Sequence, residues 1–210
     1  MSDDHVNKTV ATYNAIANHY AVQMDAYTPV NDRELFLSYL HPHSRVLDVG
    51  CAAGRDSMFF TKHGHMTTGI DLSEKLLAIA RKKAPALTFL HDDIRKKMFA
   101  DESFDAVWAC AVLLHLTRKE IPTVLKIFYA MLVIDGLLYI RVKEGQGERD
   151  VSETLSAHQS RHFTYFMPDE LKKIVTDAGF AIEKITHSNE KDMNPNLRDM
   201  WWVTVIARKA

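Results

Sequence analysis

Apolar positions change their spacing along this chain, and each change marks an element. Over residues 6–40 they recur at helical intervals, with Tyr13, Ala17, Tyr20, Val22 and Met24 among them, and Thr28-Pro29 breaks the run. From residue 45 onward, short apolar runs alternate with longer amphipathic ones. The runs predict strands at residues 45–50, 66–71, 87–92, 104–109 and 137–142, and helices at 54–63, 74–83 and 122–131. Ser73 is placed to cap the second of these helices. Strands alternating with helices imply right-handed crossovers and a parallel sheet.

The last third reads differently. Residues 143–167 show weak periodicity over a length unusual for a loop in a compact domain, which marks a lid or binding segment. Pro168-Asp169-Glu170 then opens a helix with proline and acids in its first turn, and Gly179 closes it. Two more strands are predicted at residues 180–187 and 200–208. Trp201 and Trp202, at the start of the second, are expected to pack in the core and at the sheet edge.

Chemistry enters at Val46-Leu47-Asp48-Val49-Gly50-Cys51-Ala52-Ala53-Gly54-Arg55-Asp56, where an apolar strand runs through small residues into a helix. A dinucleotide-binding Gly-x-Gly-x-x-Gly turn read from Gly50 would need glycines where Ala52 and Arg55 stand. Asp48 argues the same way: a carboxylate repels a pyrophosphate and attracts an ammonium group. The turn therefore suits a cationic amino-acid tail better than a diphosphate.

The segment resembles motif I of the class I S-adenosylmethionine-dependent methyltransferases, acid-x-Gly-x-Gly-x-Gly, with Ala52 in place of the middle glycine. Thr68-Gly69-Ile70-Asp71-Leu72-Ser73 resembles their second motif, whose acid binds the ribose hydroxyls. His91-Asp92-Asp93-Ile94 resembles the adenine-contacting segment. Phe104-Asp105-Ala106-Val107-Trp108-Ala109 and Asp135-Gly136-Leu137-Leu138-Tyr139-Ile140 resemble the fourth and fifth strands. The resemblance implies an α/β, Rossmann-like doubly wound fold. Its sheet would be mostly parallel and seven-stranded, with an antiparallel edge strand and an N-terminal helical cap. It divides a single domain into a cap (residues 1–40), a cofactor-binding core (45–142), a substrate lid (143–167) and a terminal helix with two strands (168–210).

It also implies S-adenosylmethionine as cofactor, S-adenosylhomocysteine as product, and methyl transfer to an O, N, S or C nucleophile. Cofactor contacts would come from Asp48, Gly50, Cys51, Ala52 and Gly54, from Asp71 and Leu72, from Asp92, Asp93 and Ile94, and from Cys110. Of the two neighbouring acids, Asp93 is favoured for adenine. Tyr13 and Tyr20 would close over the cofactor from the cap. No local partner activates either cysteine, and buried free thiols are the simpler reading. Two cysteines without further ligand spacing make no zinc site.

For the acceptor, His115 lies just past the fourth strand and suits a base or an orienting group. His162 is a second catalytic candidate, and a partly buried structural histidine is the competing reading for His115. Met24, Arg141, Lys143, Arg161 and Tyr165 are the candidate acceptor contacts. Arginine grips carboxylate or phosphate through paired hydrogen bonds, so an acidic acceptor is one expectation.

Composition narrows the partners. With 26 Lys+Arg against 27 Asp+Glu the net charge is −1, which gives no basic surplus for nucleic acid. At 210 residues and 47% hydrophobic content, a single core is expected. Two cysteines are too few for a disulfide framework, no basic region precedes an apolar stretch at the N-terminus, and the apolar run at residues 106–117 is too short for a bilayer. A cytoplasmic protein without membrane partner, monomeric or homodimeric, is expected. A small-molecule acceptor is favoured. An RNA or protein methyltransferase and a non-catalytic cofactor-binding protein are the alternatives.

Overall fold

Alternating burial in two central strands sets the architecture. A computed structural model describes residues 4–26, 30–152, 159–193 and 197–210. In β4 (Phe104–Cys110), Val107 and Ala109 face one side of the sheet while Ala106 and Trp108 face the other. In β5 (Leu132–Lys143), Leu138, Ile140 and Val142 share the first side, and Leu137 and Tyr139 the second. Both faces are covered, as a sheet with helical crossovers requires.

The remaining strands are β1 (Arg45–Val49), β2 (Met66–Asp71), β3 (Thr88–His91), β8 (Phe180–Asn189) and β9 (Trp201–Lys209). They complete a seven-stranded sheet in the order β3-β2-β1-β4-β5-β9-β8. The first five strands are parallel, and β9 runs antiparallel to both β5 and the outermost strand β8. The strand order reverses between β1 and β4. That is the point where a crevice opens outside the carboxyl ends of the strands.

The first side of the sheet is packed by α5 (Ile121–Met131) and α6 (Pro168–Asp177), through Val124, Phe128, Leu171 and Val175. On the second side lie α2 (Val30–Leu37) and α3 (Arg55–Lys62). Phe36 from α2 and Phe60 from α3 enclose Trp108, which stacks on Tyr139 at 3.7 Å. Ser73 caps α4 (Glu74–Lys83) by accepting the Leu76 N–H, as its position in the sequence suggests.

The described residues of the 143–167 segment are more regular than their periodicity suggests. They include an antiparallel pair, β6 (Glu148–Ser152) and β7 (Ser160–Thr164), forming a separate two-stranded sheet. Residues 153–158 lie outside the described residues, as does the Thr28-Pro29 break. The first helix, α1 (Asp4–Ala26), rests against α4 and β7 and so spans the carboxyl ends of the sheet. Val22, grouped by spacing with the apolar face, is 70% exposed and points outward. A short helix, α7 (Glu190–Met193), follows β8. Among the described residues, no helix is long and apolar enough to cross a membrane.

Candidate active site

The backbone after β1 is bent tightly. Gly50 has φ +69°, and a Cβ there would meet Val112 Cγ2 at 2.7 Å, so only glycine lets the chain pass. Ala52 holds φ +49°, a left-handed conformation that explains why the resembled motif carries glycine at this position. Asp71 stabilises the bend. Its Oδ2 accepts the Ala52 N–H at 2.9 Å and its Oδ1 accepts the Ser73 N–H at 2.7 Å. Burial raises its pKa, and these N–H donors oppose the rise. One carboxylate thus ties the first turn to the end of β2, with lone pairs left over to accept hydroxyls.

Two adjoining cavities open above this bend. They share Tyr13, Tyr20, Gly50, Ala52, Cys110, Ala111 and His115. The first is completed by Asp71, Leu72, Asp92, Asp93 and Ile94, and is covered by Val6, Thr9 and Val10 of α1. The second holds Met24, Asp48, Cys51, Arg141, Lys143 and Arg161. The sequence-derived cofactor residues therefore converge, with one exception. Gly54 lines neither cavity; it starts α3 at φ +78°, where a Cβ would run into Phe89 Cζ at 2.8 Å. Its glycine serves helix–strand packing.

Asp93 is occupied otherwise than expected. Arg95 grips its carboxylate in a fork, with Nε 3.0 Å from both oxygens and Nη2 2.7 Å from Oδ2, and this pairing holds its pKa down against burial. Among the described residues, Asp92 accepts the Asp93 N–H alone, through Oδ1. Asp48 is 2% exposed and accepts the Ser57 hydroxyl at 2.5 Å. Burial, and then the neighbouring Asp56 carboxylate, push its pKa up. Burial likewise raises Cys51 far above the usual thiol range and takes Cys110 up to about 12. Both shifts disfavour the thiolate form.

A chain of hydrogen bonds crosses the boundary between the cavities. Arg161 Nη1 donates to Tyr13 Oη at 2.8 Å. Tyr13 Oη lies 2.9 Å from His115 Nε2, and His115 Nδ1 lies 2.8 Å from the His162 carbonyl. A carbonyl only accepts, so the ring hydrogen sits on Nδ1 and Nε2 accepts the tyrosine hydroxyl. Burial and then the charge of Arg161 lower the His115 pKa to about 3, which keeps the ring neutral.

That shift has a measurable consequence. An unfolded histidine takes up a proton near pH 6.5 and the folded one does not until about pH 3, so stability is complete above pH 6.5 and falls as pH drops through that window. His115→Gln is expected to remove about 1 kcal/mol per pH unit of acid destabilisation, read from urea unfolding at pH 7 and pH 5. An unchanged slope would contradict the assignment.

Two acceptor-site candidates from the sequence lie apart from both cavities. The His162 ring lines neither cavity; only its carbonyl takes part, while Nε2 lies 3.3 Å from Thr164 Oγ1. Strand parity is the reason. Arg161 and Phe163 share the face of β7 toward the cavity, and His162 and Thr164 point away. Tyr165, beyond the end of β7, packs over Gly145 and under the Arg149 guanidinium at 4.0 Å, away from both cavities.

Other lining residues were not identified from the sequence. Arg55 donates through Nη1 to the Met24 carbonyl and grips Asp56, which also accepts Trp108 Nε1 at 3.1 Å. Glu190, 1% exposed, accepts Trp202 Nε1 at 3.0 Å and Arg198 Nη2 at 2.7 Å. Trp202 thus lines the second cavity, whereas Trp201 stacks on His187 at the surface. The charge-rich stretch around Arg198 was the available signal.

Comparison with known proteins agrees with this geometry. Residues 46–136 match the family described as "Methyltransferase domain". The chain is 42% identical over 78 residues to a malonyl-[acyl-carrier protein] O-methyltransferase of Erwinia pyrifoliae, covering 36% of this chain and 30% of that protein. It is 25% identical over 149 residues to a phosphoethanolamine N-methyltransferase of Plasmodium falciparum, covering 67% and 55% respectively. The chain spans less than half the length of the first curated relatives it matches. In fold it is similar to the 1,6-didemethyltoxoflavin-N1-methyltransferase of Burkholderia thailandensis, crystallised with 1,6-didemethyltoxoflavin and S-adenosylhomocysteine. The TM-score is 0.76 at 21% identity, over 100% of this chain and 92% of that one.

Proposed function

We propose that the chain carries a class I S-adenosylmethionine-dependent methyltransferase domain and that it methylates a small-molecule acceptor held in the second cavity. The observation that carries this reading is the pair of adjoining cavities at the strand-order reversal, bounded by the Gly50 bend, Asp71 and α1. The residues fit the cofactor: a glycine whose Cβ would clash, a ribose-type carboxylate and a buried acid suited to an ammonium group. When bound, S-adenosylmethionine supplies an electrophilic methyl group on a sulfonium.

The protein's own contribution is binding, orientation and exclusion of water. Asp71 accepts ribose hydroxyls while it keeps the bend closed. Asp92, with one oxygen uncommitted in the hydrogen bonds above, suits the adenine amine better than Asp93 does. Asp48 attracts the amino group. Tyr13 and Tyr20, with rings 5.0 Å apart, roof the junction of the cavities. His115 is too weak a base to hold a proton there, so its role is to orient the Tyr13 hydroxyl toward the junction.

Calorimetric titration with S-adenosylhomocysteine tests the cofactor reading, and turnover on a metabolite panel against RNA and protein tests the acceptor class. No binding would remove the first, and turnover only on RNA or protein would replace the second. A cap over the cofactor predicts slower amide exchange across residues 6–26 when S-adenosylhomocysteine binds. Exchange that stays the same there would reduce α1 to a packing element.

A further inference from the structure

The first turn of α4 is held from two sides. Ser73, its own cap, accepts the Leu76 N–H at 3.3 Å. Asn14, half-buried on α1, lies opposite, with Oδ1 2.8 Å from Ser73 Oγ and 3.2 Å from the Lys75 nitrogen. A backbone N–H only donates, so Asn14 presents its carbonyl oxygen here. The Ser73 hydroxyl, which accepts from Leu76, gives its hydrogen to the same oxygen. Asn14 is thus a cap supplied by a different helix, and it serves an N–H that α4 cannot satisfy within itself.

Ser73 joins this cap to the candidate cofactor site. Its own N–H donates to Asp71 Oδ1 at 2.7 Å, and Asp71 Oδ2 accepts the Ala52 N–H at 2.9 Å. A continuous run of hydrogen bonds therefore leads from α1, through the first turn of α4, to the bend after β1. Packing follows the same route. Ala17 and Ala21, further along α1, pack with Leu76 and Ala53, and Ala52 lies against this group.

The geometry points to Asn14 as a positioning residue: by holding the first turn of α4 it sets the Asp71 carboxylate, so that seating α1 and binding the cofactor are one coupled event. This deepens the methyl-transfer reading and rests on it for the identity of the ligand. Asn14 lines neither cavity, so its effect on binding passes through Ser73 and Asp71. At the far end of α4, Lys83 Nζ pairs with Asp25 Oδ2 of α1 at 2.5 Å, a link outside this route.

Calorimetric titration of S-adenosylhomocysteine into the full chain is the test. Asn14→Ala should weaken binding about fivefold or more. Asn14→Asp keeps the oxygen and suits a helix N-terminus, and should stay within about threefold of the parent. Ser73→Ala cuts the same link from the α4 side, and the double variant should lose little more than the worse single one. Lys83→Gln should bind within about twofold of the parent. Amide exchange at residues 74–77 should quicken in Asn14→Ala but not in Lys83→Gln, and thermal melts check that each variant folds. Parent-like affinity in Asn14→Ala would leave Asn14 a helix cap at most and overturn the proposal, whatever its exchange. Equal losses in Asn14→Ala and Lys83→Gln would overturn it as well, since any loosening of α1 would then suffice. Absence of binding in the parent is a different result, which would remove the methyl-transfer reading and this proposal with it.

Discussion

Asp71→Ala is expected to weaken S-adenosylhomocysteine binding by about 2 kcal/mol or more, roughly thirtyfold. Two losses combine. The charged acceptor for the ribose hydroxyls goes, at roughly 1.5–3 kcal/mol for a hydrogen bond to a charged group. The anchor of the Ala52 N–H goes with it, so a residue held at φ +49° can relax and the bend can widen. Asp71→Asn separates the two. Its amide oxygen can still accept from Ala52, so it should keep the bend and lose mainly the charge. Calorimetry on folded variants measures both, and an affinity within twofold of the parent for Asp71→Ala would remove Asp71 from the site.

Trp108→Ala is expected to cost about 3–5 kcal/mol of stability, the usual range for deleting a large buried aromatic. Trp108 is 1% exposed, stacks on Tyr139 and meets Phe36 and Phe60 edge-on or tilted. The substitution also removes the indole N–H from Asp56, the carboxylate that steadies Arg55 and, through it, the Met24 carbonyl of α1. Core damage should therefore reach the roof of the cavities. Trp108→Phe fills most of the space without the donor and should be milder in denaturant melts. A loss below about 1 kcal/mol for Trp108→Ala would show that this packing is not as tight as the contacts imply.

The sheet core was legible because its strands are apolar on both faces and separated by clear helix signals, as at Ser73 and Pro168. The β6–β7 pair was not. In β6 nearly every side chain is exposed, so Glu148-Arg149-Asp150 reads as loop; in β7 the buried positions include Arg161 and His162, which mask the apolar alternation. Hydrophobic periodicity cannot reveal a strand that buries charge. The same blind spot hid the side on which His162 lies, since that depends on strand parity.

The residues after β1 and β2 that line the cavities could be picked out because they are local in sequence. Glu190, Arg198 and Trp202 could not, because only the pairing of β9 with β5 brings them beside Lys143. The Arg95 fork on Asp93 could not be read from the sequence, because it depends on side-chain direction, which spacing does not record.

The β6–β7 ribbon shares no ladder with the seven-stranded sheet, although its residues furnish one wall of the second cavity. Changes in that wall therefore leave the ladders of the large sheet intact, although Phe163 belongs to the buried core and Arg161 holds Tyr13 of α1. Under the proposed function, substitutions at Arg161 or Phe163 would alter what the wall recognises and leave the candidate cofactor half, built on β1 and β2, in place. Parity adds a second route: inserting or deleting one residue in β7 would turn His162 and Thr164 inward and exchange the whole recognition surface in a single mutational step. Under the proposed function, the acceptor wall can thus be revised separately from the turn after β1.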